Sequence, residues 1–431
     1  MNDNPAVLLS PQGREVLARV AALLGDRQPA GLAVAEQLRR EYPASLVATA
    51  MAQHELRLVA RAKFARAMDM LFTRDGYEQA SAEPIARHRA ARFGGARRIA
   101  DLCCGIGGDL IALASAADSG AAVLAVDRDE VHARLALHNA GVYGAAQRVT
   151  SCVADVRDVT LRGVDAVFID PARRSGERRF PAGVSRPPLD WCLALTGQVP
   201  AVCVKAAPGL PAELIPHGWE AEFLADGRDL KESVLWSPAF ATAPRRATIL
   251  PGGDTLIAHP GDPVPVSEPG EYLLDPSPAV TRAGLVEDLA RLLGARKIDP
   301  RIAFLTADSG TSTPFARTLR VVYSAPWNEK RFAARLRELG VGAADVRRRG
   351  LAGDVDQIRR RLRLAGPHRA TLVLTRVSDK PWGLICADPG APDAPDAPLA
   401  HSVSAAAART PTTHHFSSLE LGQTGRQKDQ K

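Results

Sequence analysis

Four stretches within residues 101–174 hold the residue types best suited to chemistry. They are Asp101-Leu-Cys-Cys-Gly105-Ile-Gly107-Gly108-Asp109, then Asp127, then Ala154-Asp155, then Asp170-Pro171-Ala172-Arg173-Arg174. Glycines at a strand-to-helix turn let the backbone curve tightly and approach a ligand where a side chain would collide. The N–H groups opening the next helix are free to meet a carboxylate or phosphate. Asp127, about twenty residues beyond the glycines, is spaced to accept both hydroxyls of a ribose. Asp101 can hold an ammonium directly or through water, and Asp155 can accept from an adenine amino group. This set suits an adenosine cofactor with a cationic tail better than a dinucleotide. A glycine turn alone also suits a nicotinamide-binding or ligand-free Rossmann turn. Asp170 closes the apolar run DAVFID, and residues just past strand ends of an open α/β sheet face the ligand crevice. The competing reading is that DPARR merely ends a strand with solvated arginines.

Around that strand end lie further candidates. Arg173, Arg174, Arg178, Arg179 and Arg186 follow Asp170 closely, with Phe180 among them. Such a run is a solvated face or, beside a reacting centre, a clamp for a phosphate backbone. Lys205 ends an apolar run, and Lys231-Glu232 stand in DLKESVLW; they point into the crevice or, for the latter two, form an ordinary strand pair. Cys103 and Cys104 read as packing residues. Cys152 and Cys203 fall in predicted strands and Cys192 in a predicted helix, which leaves no cysteine placed for nucleophilic attack. Six cysteines without CxxC pairs indicate neither zinc nor a disulfide framework, so no metal is expected.

The elements that must position these residues follow from apolar periodicity. Residues 1–90 read as a helical region, through REVLARVAALLG and the long run ASLVATAMAQHELRLVARAKFARAMDMLF. Residues 91–253 alternate apolar strand runs (IADLCC, AVLAVD, VTSCVAD, VDAVFID, AVCVKA) with helix patterns. That alternation predicts a doubly wound α/β sheet of Rossmann type, parallel and covered on both faces. Residues 254–318 are rich in Pro and Gly and read as a connecting region whose one clear helix is DPSPAVTRAGLVEDLARLLG. Residues 319–387 read strand, helix, strand, helix, strand, strand, a small α+β sheet with helices on one face. Residues 388–431 have the Pro/Ala/Ser/Thr composition of a disordered tail.

The motif order acid-x-x-x-G-x-G, acid, Asp and a (D/N)-P-P-x-like element resembles the class I S-adenosylmethionine-dependent methyltransferases. The wider chain, from YEQAS through DLCCGIGGD and DPARR to RRRLRLAG and ATLVLTRV, resembles actinobacterial methyltransferases that carry a THUMP-like C-terminal domain. The resemblance implies S-adenosylmethionine held by Asp101, Gly105, Gly107, Gly108, Asp127 and Asp155. It places Gln79 and Ser81, in the segment leading to the first strand, at the methionine end, although Ser81 with Glu83-Pro84 is also an ordinary helix start. It makes Asp170, Pro171 and Arg173 the catalytic element that presents the target to the methyl group. Here Ala172 replaces the second proline and Arg173 the aromatic residue, which argues against exocyclic adenine or cytosine amino groups as targets. THUMP domains bind RNA in tRNA-modifying enzymes, so the resemblance implies an RNA partner.

Charge distribution adds to that implication. The chain carries a formal +7, and residues 319–387 alone hold 15 Lys/Arg against 6 Asp/Glu. The basicity is therefore local, with RRR at 347–349 and RRRLR at 359–363. On the predicted helix DVDQIRRRLRLAG, Ile358 and Leu362 face the sheet and leave Arg359, Arg360 and Arg363 outward. With Arg348, and with Arg174 and Arg178, they are the expected RNA contacts; a solvated basic helix is the bland alternative. The N-terminus lacks a secretory pattern and no window suits a membrane span, so a cytoplasmic enzyme is expected. These readings converge on methylation of a base nitrogen in tRNA or rRNA. Two others compete: a small-molecule or protein methyltransferase, and a non-catalytic RNA-binding protein.

Overall fold

The computed structural model describes residues 4–25, 31–116, 120–172, 174–175, 178–179, 181, 183–391, 395 and 400–401. Its centre is a nine-stranded sheet. Five parallel strands, β1 (Arg98–Leu102), β2 (Ala122–Asp127), β3 (Val149–Val153), β4 (Ala166–Ile169) and β5 (Ala201–Ala206), lie in the order β3-β2-β1-β4-β5. The sheet continues through β6 (Glu220–Asp226), β7 (Asp229–Trp236), β8 (Arg245–Leu250) and β9 (Asp254–Ile257). β7 inserts antiparallel between β5 and β6, β8 runs parallel to β6, and β9 closes the edge antiparallel.

Alternation of side chains along each strand supplies both faces with apolar cover. In β1, Ile99 faces one core with Val123, Phe168, Leu110 and Ala136, while Ala100 and Leu102 face another with Val167, Ile169 and Val204. Ahead of the sheet run α1 (Pro11–Leu24), α2 (Gly31–Leu38), α3 (Ala44–Ala60), α4 (Arg74–Gln79) and α5 (Glu83–Ala90). Helices α6 (Gly108–Ala116) and α7 (Glu130–Val142) join α5 on the first face. The opposite face is covered by α8 (Leu189–Ala194), α9 (Pro278–Ala283) and α10 (Val286–Leu293). The doubly wound α/β fold expected from the strand–helix alternation is thus present. Helices α1 to α3 pack through Val16, Val20, Leu38 and Val47, and the same core takes in Ile106 of the turn after β1 with Ile111 and Leu135 of the sheet's helical cover.

Two helices differ from their expected extents. The run expected to stay helical into residue 72 ends at Ala60, and residues 61–73 turn irregularly. Gln53 and Arg57 serve the carbonyls of that turn, at 2.9 Å to Phe72 O and 2.7 Å to Met70 O. The helix expected over 275–294 is two helices, because Gly284 adopts a left-handed φ of 76° that ends α9.

A second sheet follows the path β11-β12-β10-β13-β16-β15-β14. Its strands are β10 (Tyr272–Pro276), β11 (Arg296–Lys297), β12 (Leu305–Ala307), β13 (Ala316–Pro326), β14 (Val341–Arg348), β15 (His368–Val377) and β16 (Lys380–Ala387). Helices α11 (Glu329–Glu338) and α12 (Val355–Leu362) cover one face through Phe332, Leu336 and Leu362, as the sequence order implied. Ile298, Ile302 and Phe304 cover the other. Residues 254–318 therefore contribute to both bodies: β9, α9 and α10 to the first sheet, β10 to β12 to the second. Among the described residues no helix is long and apolar enough to cross a membrane, and no group of three His, Cys, Asp or Glu could hold a metal ion.

Candidate active site

At the C-terminal ends of the parallel strands opens a cleft of about 680 Å³. Asp101, Gly105, Gly108, Asp127, Asp155, Asp170, Pro171 and Gln79 all line it, so most of the residues singled out by spacing come together. The turn after β1 bends through three left-handed residues, Cys103 (φ 61°), Gly105 (φ 53°) and Gly107 (φ 87°). A Cβ on Gly105 would meet nothing within 4 Å, which leaves its backbone open to a ligand. Gly107 matters for packing instead, since a Cβ there would stand 3.0 Å from Ala136 Cα; this glycine lets α7 lie against the turn. Asn139 of α7 fixes the arrangement by donating to Ile106 O (2.8 Å) and Leu71 O (2.9 Å).

Asp101 is the most informative group. It is fully buried, and neither carboxylate oxygen has a hydrogen-bond partner among the described residues. Burial, reinforced by Asp109, Asp170 and Asp127, pushes its carboxyl well above the usual range. A buried carboxyl without a partner fits a cationic ligand, whose charge would favour the ionised form. Asp127 accepts from Gly105 N (2.8 Å) and Asp129 N (3.0 Å), which aims it across the turn. Each oxygen keeps a second lone pair for a ribose hydroxyl. Asp155 is clamped by Arg157 through Nε (2.9 Å) and Nη2 (2.7 Å), which with the Arg157 backbone N–H holds its carboxyl down at about 2. Orphaned Asp101, open Gly105 and aimed Asp127 fit the ammonium, backbone approach and ribose that S-adenosylmethionine would bring.

The other candidates sort differently. Ser81 lies beneath the cleft, donating to Asp109 (3.1 Å) and accepting from Arg89 (2.8 Å) and Lys205 (2.9 Å). Lys231 and Glu232 point to opposite sides of β7: Lys231 is exposed beside Asp229, and buried Glu232 pairs with Arg89. Arg173 lies outside the described residues, and Arg174 and Arg178 are placed only as backbone in a two-stranded ribbon. Burial, reinforced by Asp127 and Asp170, pushes the Cys103 thiol far up, which suits packing and not nucleophilic attack.

Two contributors escaped the sequence reading, and a third, Lys205, was expected in the crevice without its partner. Lys63 donates to Tyr77 O (2.7 Å), Glu78 O (3.3 Å) and Ala80 O (3.0 Å), fixing the segment that carries Gln79 over the cleft. Arg89 pairs with both Asp109 and Glu232. Lys205 Nζ donates to Asp170 Oδ2 at 2.6 Å. None of them has a local pattern, because their partners lie on other elements.

The fold and the cleft define a class I methyltransferase domain. Its relatives place it further. The chain is 37% identical over 314 residues to an uncharacterized S-adenosylmethionine-dependent methyltransferase of Mycobacterium tuberculosis, found in strains CDC 1551 and H37Rv, with 71% of this chain and 85% of that protein covered. It belongs to the S-adenosylmethionine-dependent methyltransferases. Residues 96–173 match the RNA cap guanine-N2 methyltransferase family, residues 316–388 a THUMP domain-like family, and residues 3–62 a domain of unknown function. In fold the chain matches the crystal structure of a Porphyromonas gingivalis W83 protein described as a methyltransferase, with a TM-score of 0.71 at 21% identity, covering 86% and 98% of the two chains.

Asp127→Ala is expected to raise the dissociation constant for S-adenosylmethionine by about tenfold, the loss of one or two hydrogen bonds at about 1 kcal/mol each. The protein should still fold, with a lowered melting temperature, because the same substitution removes the acceptor for Gly105 N and Asp129 N. Calorimetric titration measures the first and thermal denaturation the second; unchanged affinity would undo the ribose assignment.

Proposed function

We propose that this methyltransferase acts on a base nitrogen of tRNA or rRNA, with Asp170 and Pro171 presenting the target and the C-terminal module holding the RNA. The carboxylate of Asp170, on the cleft wall past β4 with Oδ2 engaged by Lys205, is the observation that carries this reading. Its other oxygen can accept from a target N–H and point the nitrogen lone pair into the cleft. S-adenosylmethionine, when bound, supplies an electrophilic methyl group on sulfonium. The protein's part is then to bind the cofactor's tail at Asp101, hold its ribose at Asp127, and accept and orient the target nitrogen at Asp170.

Support for RNA comes from the family match over residues 96–173, the THUMP domain-like match over 316–388, and surface charge. Arg348, Arg359, Arg360 and Arg363 are all exposed, while Leu362 is buried against the second sheet. Titrating S-adenosylmethionine calorimetrically with and without purified tRNA, followed by mass spectrometry of nucleosides, tests the whole reading. Cofactor binding with no methylated nucleoside from tRNA or rRNA would transfer the activity to a small molecule or protein.

Replacing Arg348, Arg359, Arg360 and Arg363 together by Gln is expected to weaken RNA binding and flatten its salt dependence. For every phosphate that the variant no longer neutralises, the slope of log K against log salt becomes shallower by about 0.7 to 0.9. Filter binding of tRNA from about 50 to 200 mM salt reads this; an unchanged slope would remove the four arginines from the interface.

A further inference from the structure

Under the cleft lies a connected set of buried charges drawn from separate elements. Arg89 of α5 pairs with Asp109 of α6 and Glu232 of β7. Ser81 accepts from Arg89 and from Lys205 of β5, and Lys205 reaches Asp170 past the end of β4. Lys205 is 3% exposed and does not line the cleft, whereas Asp170 does. A lysine so placed has no route to a bound target and can act only through the carboxylate it holds.

We propose that Lys205 is a positioning residue that pins Oδ2 of Asp170 and keeps that carboxylate an acceptor, leaving Oδ1 for the target N–H. This rests on Asp170 being the group that orients the target. The groups around Asp170 explain the need. Asp101 on β1 and the Cys103 thiol after it feel its charge, and Asp127 and Arg186 line the same cleft. Arg89 is already engaged by Asp109 and Glu232, and Lys63 by three backbone carbonyls. Among the described residues, Lys205 donates directly to the Asp170 carboxylate. Without it, the carboxylate loses the partner that fixes Oδ2, and Oδ1 is no longer held toward the target N–H.

The test uses the full-length protein as wild type, Lys205→Met, Lys205→Gln and Lys205→Arg. Gln keeps a donor for Ser81 without the charge, so it covers the case in which Met disturbs folding. The carboxyl signal of Asp170, assigned in ¹³C-aspartate-labelled protein by its loss in Asp170→Asn, is followed by NMR against pH. Methyl transfer from radiolabelled S-adenosylmethionine to total RNA from cells lacking the protein is followed over the same range. Removing the charge should move the Asp170 carboxyl signal and the acidic limb of the rate profile together. Arg should restore most of the limb, and calorimetric affinity for S-adenosylmethionine should change only a few-fold. An Asp170 signal that titrates at the same pH in Met and Gln as in wild type overturns the proposal. Full activity in both Asp170→Asn and Asp170→Ala would instead remove Asp170 from the reaction while leaving the NMR result readable, so the two failures are distinct.

Discussion

Asp101→Asn is expected to cost most of the affinity for S-adenosylmethionine while making the cofactor-free protein more stable at neutral pH. The two effects share one cause. Asp101 is buried with both oxygens unpartnered among the described residues, and burial together with Asp109, Asp170 and Asp127 raises its carboxyl well above the ordinary range. In the folded, cofactor-free protein this group therefore holds its proton at pH values where the unfolded chain has released it. Stability changes with pH according to protons bound in the unfolded state minus those bound in the folded one. That difference is negative here, so this residue makes stability fall as pH rises from the ordinary carboxyl range, about 4, up to the raised folded value. An asparagine carries no charge and removes that slope. The same substitution removes the counter-charge for the cofactor's ammonium. A hydrogen bond to a charged group contributes about 1.5–3 kcal/mol, or about 10- to 150-fold in affinity. Thermal denaturation from about pH 4 to 8 without cofactor, beside calorimetry with it, reads both effects. An Asn variant that binds like wild type would show that Asp101 is not the ammonium site, and one that melts with the same pH dependence would show that its carboxyl is not raised in the folded protein.

What sequence could and could not reveal divides along physical lines. The glycine turn, Asp127 and the strand ends were legible because a tight βα turn and a period of two both leave marks on neighbouring residues. The roles within that motif were less so. Gly105 and Gly107 look equivalent in sequence, yet one opens the backbone to the cleft and the other admits α7 against Ala136. β11 and β12, of two and three residues, are too short to show alternation, and so the sheet they share with β13 to β16 was hidden inside a Pro/Gly-rich stretch. The charge network was illegible for another reason. Arg89, Glu232, Ser81 and Lys205 come from separate elements, and only the strand order β4-β5-β7 brings two of their elements beside Asp170. The pairing of Lys231 and Glu232 illustrates the same limit: adjacent residues on a strand face opposite sides, so one is solvated and the other buried.

Asp170→Ala is expected to lower the rate of methyl transfer by about 100- to 10,000-fold, the range set by loss of a positioned proton acceptor. The loss should appear equally in kcat and kcat/KM, because the contact to the target nitrogen strengthens as its N–H becomes acidic in the transition state. Affinity for S-adenosylmethionine should shift only a few-fold, since the ammonium and ribose are assigned to Asp101 and Asp127. Alanine also strands Lys205, a buried cation whose remaining hydrogen bond among the described residues is to Ser81, and breaking a buried ion pair from one side costs about 3–5 kcal/mol. Assays well below the melting temperature separate this stability loss from the chemical one. Asp170→Asn refines the reading. Its amide oxygen can still accept from the target N–H, but it can neither take up the proton nor balance Lys205. A defect in Asn as large as that in Ala points to charge and proton acceptance, whereas near-complete retention in Asn with loss in Ala points to orientation by the oxygen alone. Wild-type rates in both variants would place the target elsewhere along the cleft and end the case for the DPARR element as the catalytic edge.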